Sequence, residues 1–205
     1  MKYPTSYICW DLETTGFDTK TCKILEIGVV RVVDGVTVEE KSWLLNHPIE
    51  VPEKITAINN ITTEMIRGGV DPATAMKEFL EDFVELDEYN LTHNGYRFDI
   101  PFLLGQMTEE QKNKYEKKLM NGCLDTAALY KGGKLNINRQ DSEKFTDFAQ
   151  RVFNVWSREK YNVTHCCNTL GIDISGTQLH RSLGDVYLTN EIYKKLTTNT
   201  DQIGQ

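Results

Sequence analysis

A chain of 205 residues with 40% hydrophobic and 26% charged residues has the balance of one globular domain, which argues against wholesale disorder. It has no apolar run long enough to span a bilayer, and the opening MKYPTSYICW lacks the charged and apolar regions of a secretion signal. The formal charge of −7 argues against a nucleic-acid partner only if the carboxylates are dispersed; gathered around cations, they become part of a site that receives phosphate.

Residues 5–11 read as a short buried strand, and 24–33 (ILEIGVVRVV) as a second, rich in β-branched side chains. Asp34-Gly35 follows, then VTVEEKSWLL. A DG pair between apolar runs predicts a hairpin, because a type I′ turn needs φ > 0 at both central residues. Asp71-Pro72 opens a helix as N-cap and first-turn proline. Met76, Phe79, Leu80 and Phe83 continue it at helical spacing. Residues 89–93 are a candidate fourth strand, and Asp99 begins a short helix reaching Gln106. Residues 108–120 form a polar helix with a Thr-x-x-Gln capping box. A fifth strand is expected around Cys123, with Asp125 starting another helix. Residues 142–157 are amphipathic and 183–196 make the closing helix. Strands in hairpins first, then strands alternating with helices, predict a mixed-sheet α/β fold. One domain is expected over residues 1–197, with a short tail at 198–205.

The cysteines, Cys9, Cys22, Cys123, Cys166 and Cys167, are odd in number and form no Cys-x-x-Cys. That pattern suits neither a disulfide framework nor structural zinc, and predicts a reduced, cytoplasmic protein. The Asn-x-Thr sequons at Asn60, Asn90 and Asn162 are then accidental.

Three acidic motifs carry the chemistry. Asp11 and Glu13 lie in DLETTG at the end of the first strand. Residues i and i+2 of a strand share a face, about 6.6 Å apart along it, and two carboxylates so placed repel unless a cation lies between them. Asp99 lies in HNGYRFDIPFL, where a polar loop runs into an apolar helix; alone it reads equally as an N-cap. His180 and Asp185 lie in LHRSLGDVYL. Their i, i+5 spacing puts them roughly 140° apart on a straight helix, so they converge only if His180 precedes the helix that holds Asp185.

Together, four acidic positions and one histidine in this order resemble the histidine-bearing branch of the DEDD superfamily of 3′–5′ exonucleases. The proofreading subunits of bacterial replicative polymerases and the oligoribonucleases belong to that group. The resemblance spans nearly the whole chain: DLETTG with KILEIGVV, HNGYRFDIPFL, and LHRSLGDVYL preceded by CCNTLGID. It implies a ribonuclease H-like fold, a mixed five-stranded sheet flanked by helices. It implies two divalent ions, Mg²⁺ or Mn²⁺, about 3.5–4 Å apart. Asp11 would bridge them, Glu13 and Asp185 would complete one, and Asp99 would act partly through water. His180 would take a proton from the attacking water. The substrate implied is nucleic acid with a free 3′ end, single-stranded DNA foremost and RNA as the alternative, cut to nucleoside 5′-monophosphates. A polymerase or other replication or repair partner is compatible with it; a membrane is not.

Softer matches place Leu12, Thr14 and Thr15 beside the terminal nucleotide, Ile61 against its base, and Asn94 and Phe98 near the substrate. Where the family has His-Gly, this chain has Asn59-Asn60. Asn tolerates φ > 0, so the turn is expected to survive without the histidine's contact. Glu26, in an apolar strand, needs a partner and reads as structural. His93, His165 and Cys166-Cys167 read as packing.

Residues 131–160 carry seven basic against four acidic side chains in an otherwise acidic chain. Lys131, Lys134, Arg139 and Lys144 are candidate walls of a nucleic-acid groove, and Phe145, Phe148, Val152, Phe153 and Trp156 share one helix face, with Phe148 and Trp156 expected to be buried. The plain alternative is a docked helix with a basic solvent face. A catalytically silent binding module and a nucleotide pyrophosphohydrolase are competing readings. The absence of a P-loop excludes kinase or motor chemistry. The short stretch after the last helix favours a stand-alone trimming or repair nuclease over a tethered proofreading subunit.

Overall fold

The sheet is built around the first strand. In the computed structural model, which describes residues 3–86 and 89–198, five strands lie in the order β3-β2-β1-β4-β5. They are β1 (Tyr7–Thr14), β2 (Ile24–Val33), β3 (Val36–Leu44), β4 (Asn90–Thr92) and β5 (Cys123–Asp125). The first three pair antiparallel; β4 joins β1 in parallel and β5 joins β4 in parallel. The mixed five-stranded ribonuclease H-like sheet expected from the motifs is therefore present. The β2–β3 turn has φ of 51° at Asp34 and 80° at Gly35, as a type I′ turn requires. β1 runs three residues further than its expected end, so Glu13 lies within the strand, just before a bulge at Glu13/Thr14.

The helices follow the expected starts. After α1 (Glu53–Asn59) and α2 (Thr63–Arg67), α3 (Pro72–Phe79) is capped by the Asp71 side chain on the Thr74 N–H, then continues as a π-turn over Leu80–Val84. α4 (Asp99–Gln106) precedes α5 (Glu109–Asn121), whose reciprocal Thr108–Gln111 capping box forms. Asp125 caps α6 (Thr126–Lys134) through the Ala127 and Ala128 N–H groups. α7 (Phe145–Asn154), α8 (Val163–Leu170) and α9 (Ser182–Thr198) complete the domain. The expected tail lies outside the described residues except for Thr198, which ends α9. Among the described residues no helix is long and apolar enough to cross a membrane.

Alternation along β1 decides where the site forms. Ile8, Trp10 and Leu12 join Phe79, Phe83 and Phe102 in the core on one face. Tyr7 and Cys9 pack with Val186 and Tyr193 of α9 on the other. Period-2 geometry sends Asp11 and Glu13 to that second face as well, toward the start of α9. Gly28 stands opposite Asp11 in the ladder, and a Cβ there would lie 2.8 Å from the Ser182 backbone carbon. The missing side chain is what lets the first turn of α9 lie against the sheet at Asp11.

Candidate active site

Asp11, Glu13 and Asp185 each offer a carboxylate oxygen, and these oxygens lie within 4.8 Å of one another. Asp11 and Glu13 arrive from consecutive same-face positions of β1, and Asp185 from the first turn of α9. Asp99, at the start of α4, is buried beside Asp11, its Oδ1 accepting the Leu12 N–H at 3.3 Å. The sheet and two helices thus bring all four predicted acidic residues to one end of β1.

Among the described residues the charge of this cluster is offset only in part, by the Arg181 guanidinium at Glu13 and by His180 at Asp185. Burial, then repulsion from Asp99, Asp185 and Glu13, pushes Asp11 well above the usual carboxylate range. Burial lifts Glu13 to about 7 despite the hydrogen bond from Asn59 Nδ2 at 3.2 Å, and lifts Asp99 to about 8. Asp185 is raised by burial and relieved in part by His180. Such a set is built for added positive charge. Hard divalent ions take carboxylate oxygens of this kind, so the donor chemistry fits Mg²⁺ or Mn²⁺ at Asp11, Glu13 and Asp185, with Asp99 beside them.

His180 sits in the turn before α9 in the left-handed region, at φ 56°. That conformation resolves the i, i+5 spacing, because His180 and Asp185 line one cavity of about 680 Å³ together with His93, Asn94, Lys160 and Tyr161. The turn is fixed from the sheet. Glu26, opposite Glu13 in the ladder, accepts from Arg181 Nε at 3.1 Å, Arg181 Nη2 at 2.5 Å and the Ser182 N–H at 3.0 Å. The partner that a buried glutamate requires is therefore the residue next to His180, in keeping with a structural role for Glu26. Gly184 fits the same turn, since a Cβ would meet the Gln178 carbonyl at 2.1 Å.

The softer candidates separate. Leu12 is buried with its N–H on Asp99, and the Thr14 hydroxyl donates to the Gly16 carbonyl at 2.8 Å. Thr15 Oγ1 accepts the Lys23 N–H at 2.9 Å. Asn94 adopts φ 63°, gives its N–H to Asp125 at 3.0 Å, and faces the cavity with a buried Oδ1 that has no partner among the described residues. Phe98 packs edge-on against Phe17, which is 87% exposed beside DLETTG and was missed in the sequence. Ile61 requires a correction: it is 0% exposed, locked among Leu25, Val51 and Ile66, and has no surface to offer a base. The left-handed turn at Asn60 (φ 58°) folds it inward and leaves Ile58 exposed instead. The turn survives as expected, and Asn59 restores a contact at the histidine position by bonding Glu13. Asn59 was detectable only as the departure from His-Gly.

The expected basic groove is also corrected. Lys131 is buried, its ammonium donating to the Val155 carbonyl at 2.8 Å between Phe153 and Tyr161. Lys134 lies over the Tyr130 ring at the far end of α6. Arg139 and Lys144 line a different cavity, with Pro4, Tyr89 and Gly122. Those three residues precede β1, β4 and β5, so this cavity opens at the opposite end of the parallel strands from the carboxylates. One groove cannot hold the four. Phe148 is buried as expected, but Trp156 is 80% exposed, because α7 ends at Asn154 and the chain leaves the helix before reaching it.

Comparison with known proteins agrees with this geometry. The RNase T family model, described as "Exonuclease", matches residues 8–193. A PolC-type DNA polymerase III from Clostridium perfringens is 32% identical over 94% of this chain and 11% of its own length. The DNA polymerase III epsilon subunit of Aquifex aeolicus is 28% identical over 93% of this chain and 80% of its own length. The chain thus spans only about a tenth of the PolC-type relative. Escherichia coli exonuclease I, solved with a dA16 oligonucleotide, superposes with a TM-score of 0.71 at 15% identity, covering 98% of this chain and 42% of that one, a likeness of fold.

Proposed function

The chain belongs to the RNase T exonuclease family, within the DEDD superfamily of 3′–5′ exonucleases, and on that premise we propose that it removes nucleotides one at a time from the 3′ end of single-stranded DNA as 5′-monophosphates. The observation that carries the reading is the convergence of carboxylate oxygens of Asp11, Glu13 and Asp185 within 4.8 Å, at the edge of the cavity that holds His180. Two divalent ions, Mg²⁺ or Mn²⁺, supply when bound the positive charge that a phosphodiester and an attacking water require.

The chain's own residues do the rest. Asp11, Glu13 and Asp185 hold the cations, and Asp99 supports Asp11 from its buried side. His180, free of the helix and held by Arg181, takes the proton of the attacking water on its ring nitrogen. Thr14, Thr15 and the backbone at Leu12 flank the 3′-hydroxyl, and exposed Phe17, backed by Phe98, meets the terminal base. The presence of both cation-binding carboxylates and a proton acceptor favours catalysis over a silent binding module. DNA is preferred to RNA because the similar relatives are DNA polymerase III components. The same kinship suggests a cytoplasmic setting and a replication or repair partner.

The deciding experiment is a time course on matched 3′-labelled and 5′-labelled single strands of DNA and RNA, with and without Mg²⁺ or Mn²⁺. The expected result is a ladder shortening from the 3′ end, faster on DNA and absent in EDTA. Rapid cutting of a closed single-stranded circle would overturn the reading.

A further inference from the structure

We propose that residues 155–161 form a track for the single strand upstream of the scissile nucleotide, with the Trp156 indole stacking a base and Arg158 and Lys160 taking phosphates. The inference rests on the exonuclease reading for its strand direction, but its evidence lies elsewhere in the chain. Trp156 is 80% exposed, whereas Trp10 and Trp43 are buried in the core. An indole left in water on a segment anchored at both ends is a ready surface for a base, and base–aromatic stacking tolerates any sequence.

Both ends of the segment are tied down. Lys131 holds the Val155 carbonyl at 2.8 Å. At the other end, His93 Nε2 donates to the Tyr161 carbonyl at 2.5 Å, and Arg97 Nη1 donates to the Tyr161 hydroxyl at 3.3 Å. Burial drives His93 down to about 4, so the ring is a neutral strut between Thr126 and Tyr161. His93, Arg97 and Asp99 belong to one motif, so the segment is anchored to the loop that delivers Asp99.

Its outward face has the chemistry of a strand site. Arg158 lies 5.9 Å from the Trp156 ring, both exposed. Lys160 lines the same cavity as His180 and Asp185. The intervening carboxylate of Glu159 turns toward His165, at 3.9 Å. Lys160 lies four positions along the chain from Trp156, a span of at most about 14 Å. A dinucleotide would stay within the cavity, whereas a longer strand would continue past Lys160 to Trp156.

The test uses tryptophan emission, in which the Trp156 contribution is the difference from the Trp156→Ala protein, whose emission comes from the buried Trp10 and Trp43 alone. The Asp11→Asn protein, unable to consume the strand, is titrated with (dT)12 and with pdTpdT. Quenching is expected with (dT)12 and much less with the dinucleotide. Trp156→Ala in that background should bind (dT)12 about 5- to 150-fold more weakly, and Trp156→Phe should recover most of the loss. Arg158→Ala and Lys160→Ala should each flatten the log–log salt dependence by about 0.7. In the active enzyme, Trp156→Ala should lose more on (dT)12 than on the dinucleotide. If the wild type trims strands from the 3′ end while these variants bind and trim (dT)12 as it does, the track is wrong and the exonuclease reading stands. If no strand is hydrolysed in Mg²⁺ or Mn²⁺ but quenching depends on Trp156, the track stands and the exonuclease reading falls. No binding of either strand overturns both.

Discussion

Glu13 and Glu26 face each other across the β1–β2 ladder, one at the edge of the acidic cluster and one beneath the turn that carries His180. Both are carboxylates withdrawn from water, and their surroundings differ completely. Glu26 receives a forked guanidinium and a backbone N–H. Glu13 receives one amide hydrogen bond, faces Asp185 and Glu26, and feels Arg181 only through space, with no hydrogen bond from it. A third buried carboxylate, Asp125, is also well hydrogen-bonded: it takes backbone N–H groups from Asn94, Tyr96, Ala127 and Ala128, although burial still lifts it to about 6. Satisfied carboxylates hold loops in place, and the unsatisfied ones gather at Asp11. The contrast separates structure from chemistry within a few ångströms of the same strand, and substitutions can test it.

Asp11 should show the largest effect. Asp11→Asn removes the charge that repels all its neighbours, so hydrolysis should disappear while the metal-free protein melts at the same or a higher temperature. Full activity in this variant, or in EDTA, would remove the divalent-ion reading. His180→Ala comes next: a general base contributes about 10²- to 10⁴-fold in rate, and that loss should appear in kcat with strand binding retained. An unchanged rate at neutral pH would reduce His180 to a turn residue.

On the satisfied side the effect moves from rate to stability. Glu26→Ala leaves Arg181 without its partner, and breaking a buried pair on one side costs about 3–5 kcal/mol. Urea denaturation should register that loss, and Glu26→Ala with Arg181→Met should recover part of it. Glu13→Gln should cost little stability yet impair hydrolysis. If both glutamates destabilised the fold equally on removal, the contrast between them would fail.

The sequence made the regular parts legible for physical reasons. The DG turn, the Asp71-Pro72 start and the Thr108–Gln111 box act within a few residues, so they could be placed without tertiary information. The acidic positions and His180 were legible through the resemblance of their motifs taken together; spacing alone left Asp99 readable as an N-cap and made the meeting of His180 with Asp185 conditional on where the last helix starts. What escaped depends on contacts distant in sequence. Trp156 continues the apolar spacing of Phe148 and Val152, but the helix ends at Asn154, Val155 turns extended, and its carbonyl accepts from Lys131 instead. Lys131 looked like a surface cation for the same reason. α1 and α2 are too short for periodicity to reveal, so the inward turn at Asn60 that buries Ile61 was not foreseen.

The smallest expected effect is the pH dependence of the metal-free protein, which reads the unsatisfied carboxylates directly. Glu13 rises from 4.5 to about 7 and Asp99 from 3.8 to about 8 in the folded state. Above the unfolded values the unfolded chain has lost these protons while the folded chain keeps them, so the folded state binds more protons and loses stability as pH rises. His93 acts oppositely, but only between about 4 and 6.5, where the unfolded ring is protonated and the buried ring is not. The window from pH 6.5 to 8 therefore isolates the carboxylates. The melting temperature in EDTA should fall across it, each kcal/mol lost appearing as about 2–4 °C for a chain of this size. Mg²⁺ should oppose the fall, with its largest stabilisation at the alkaline end, where the carboxylates are ionised and repel most. Asp11→Asn should flatten the profile, because the neighbours then ionise nearer their ordinary values. Glu26→Gln should lower it, since the variant takes from Arg181 the carboxylate that receives its guanidinium. A metal-free melting temperature that rises from pH 6.5 to 8 would mean that the carboxylates at Asp11 are already compensated within the protein, and the distinction between the two sides of the ladder would be lost.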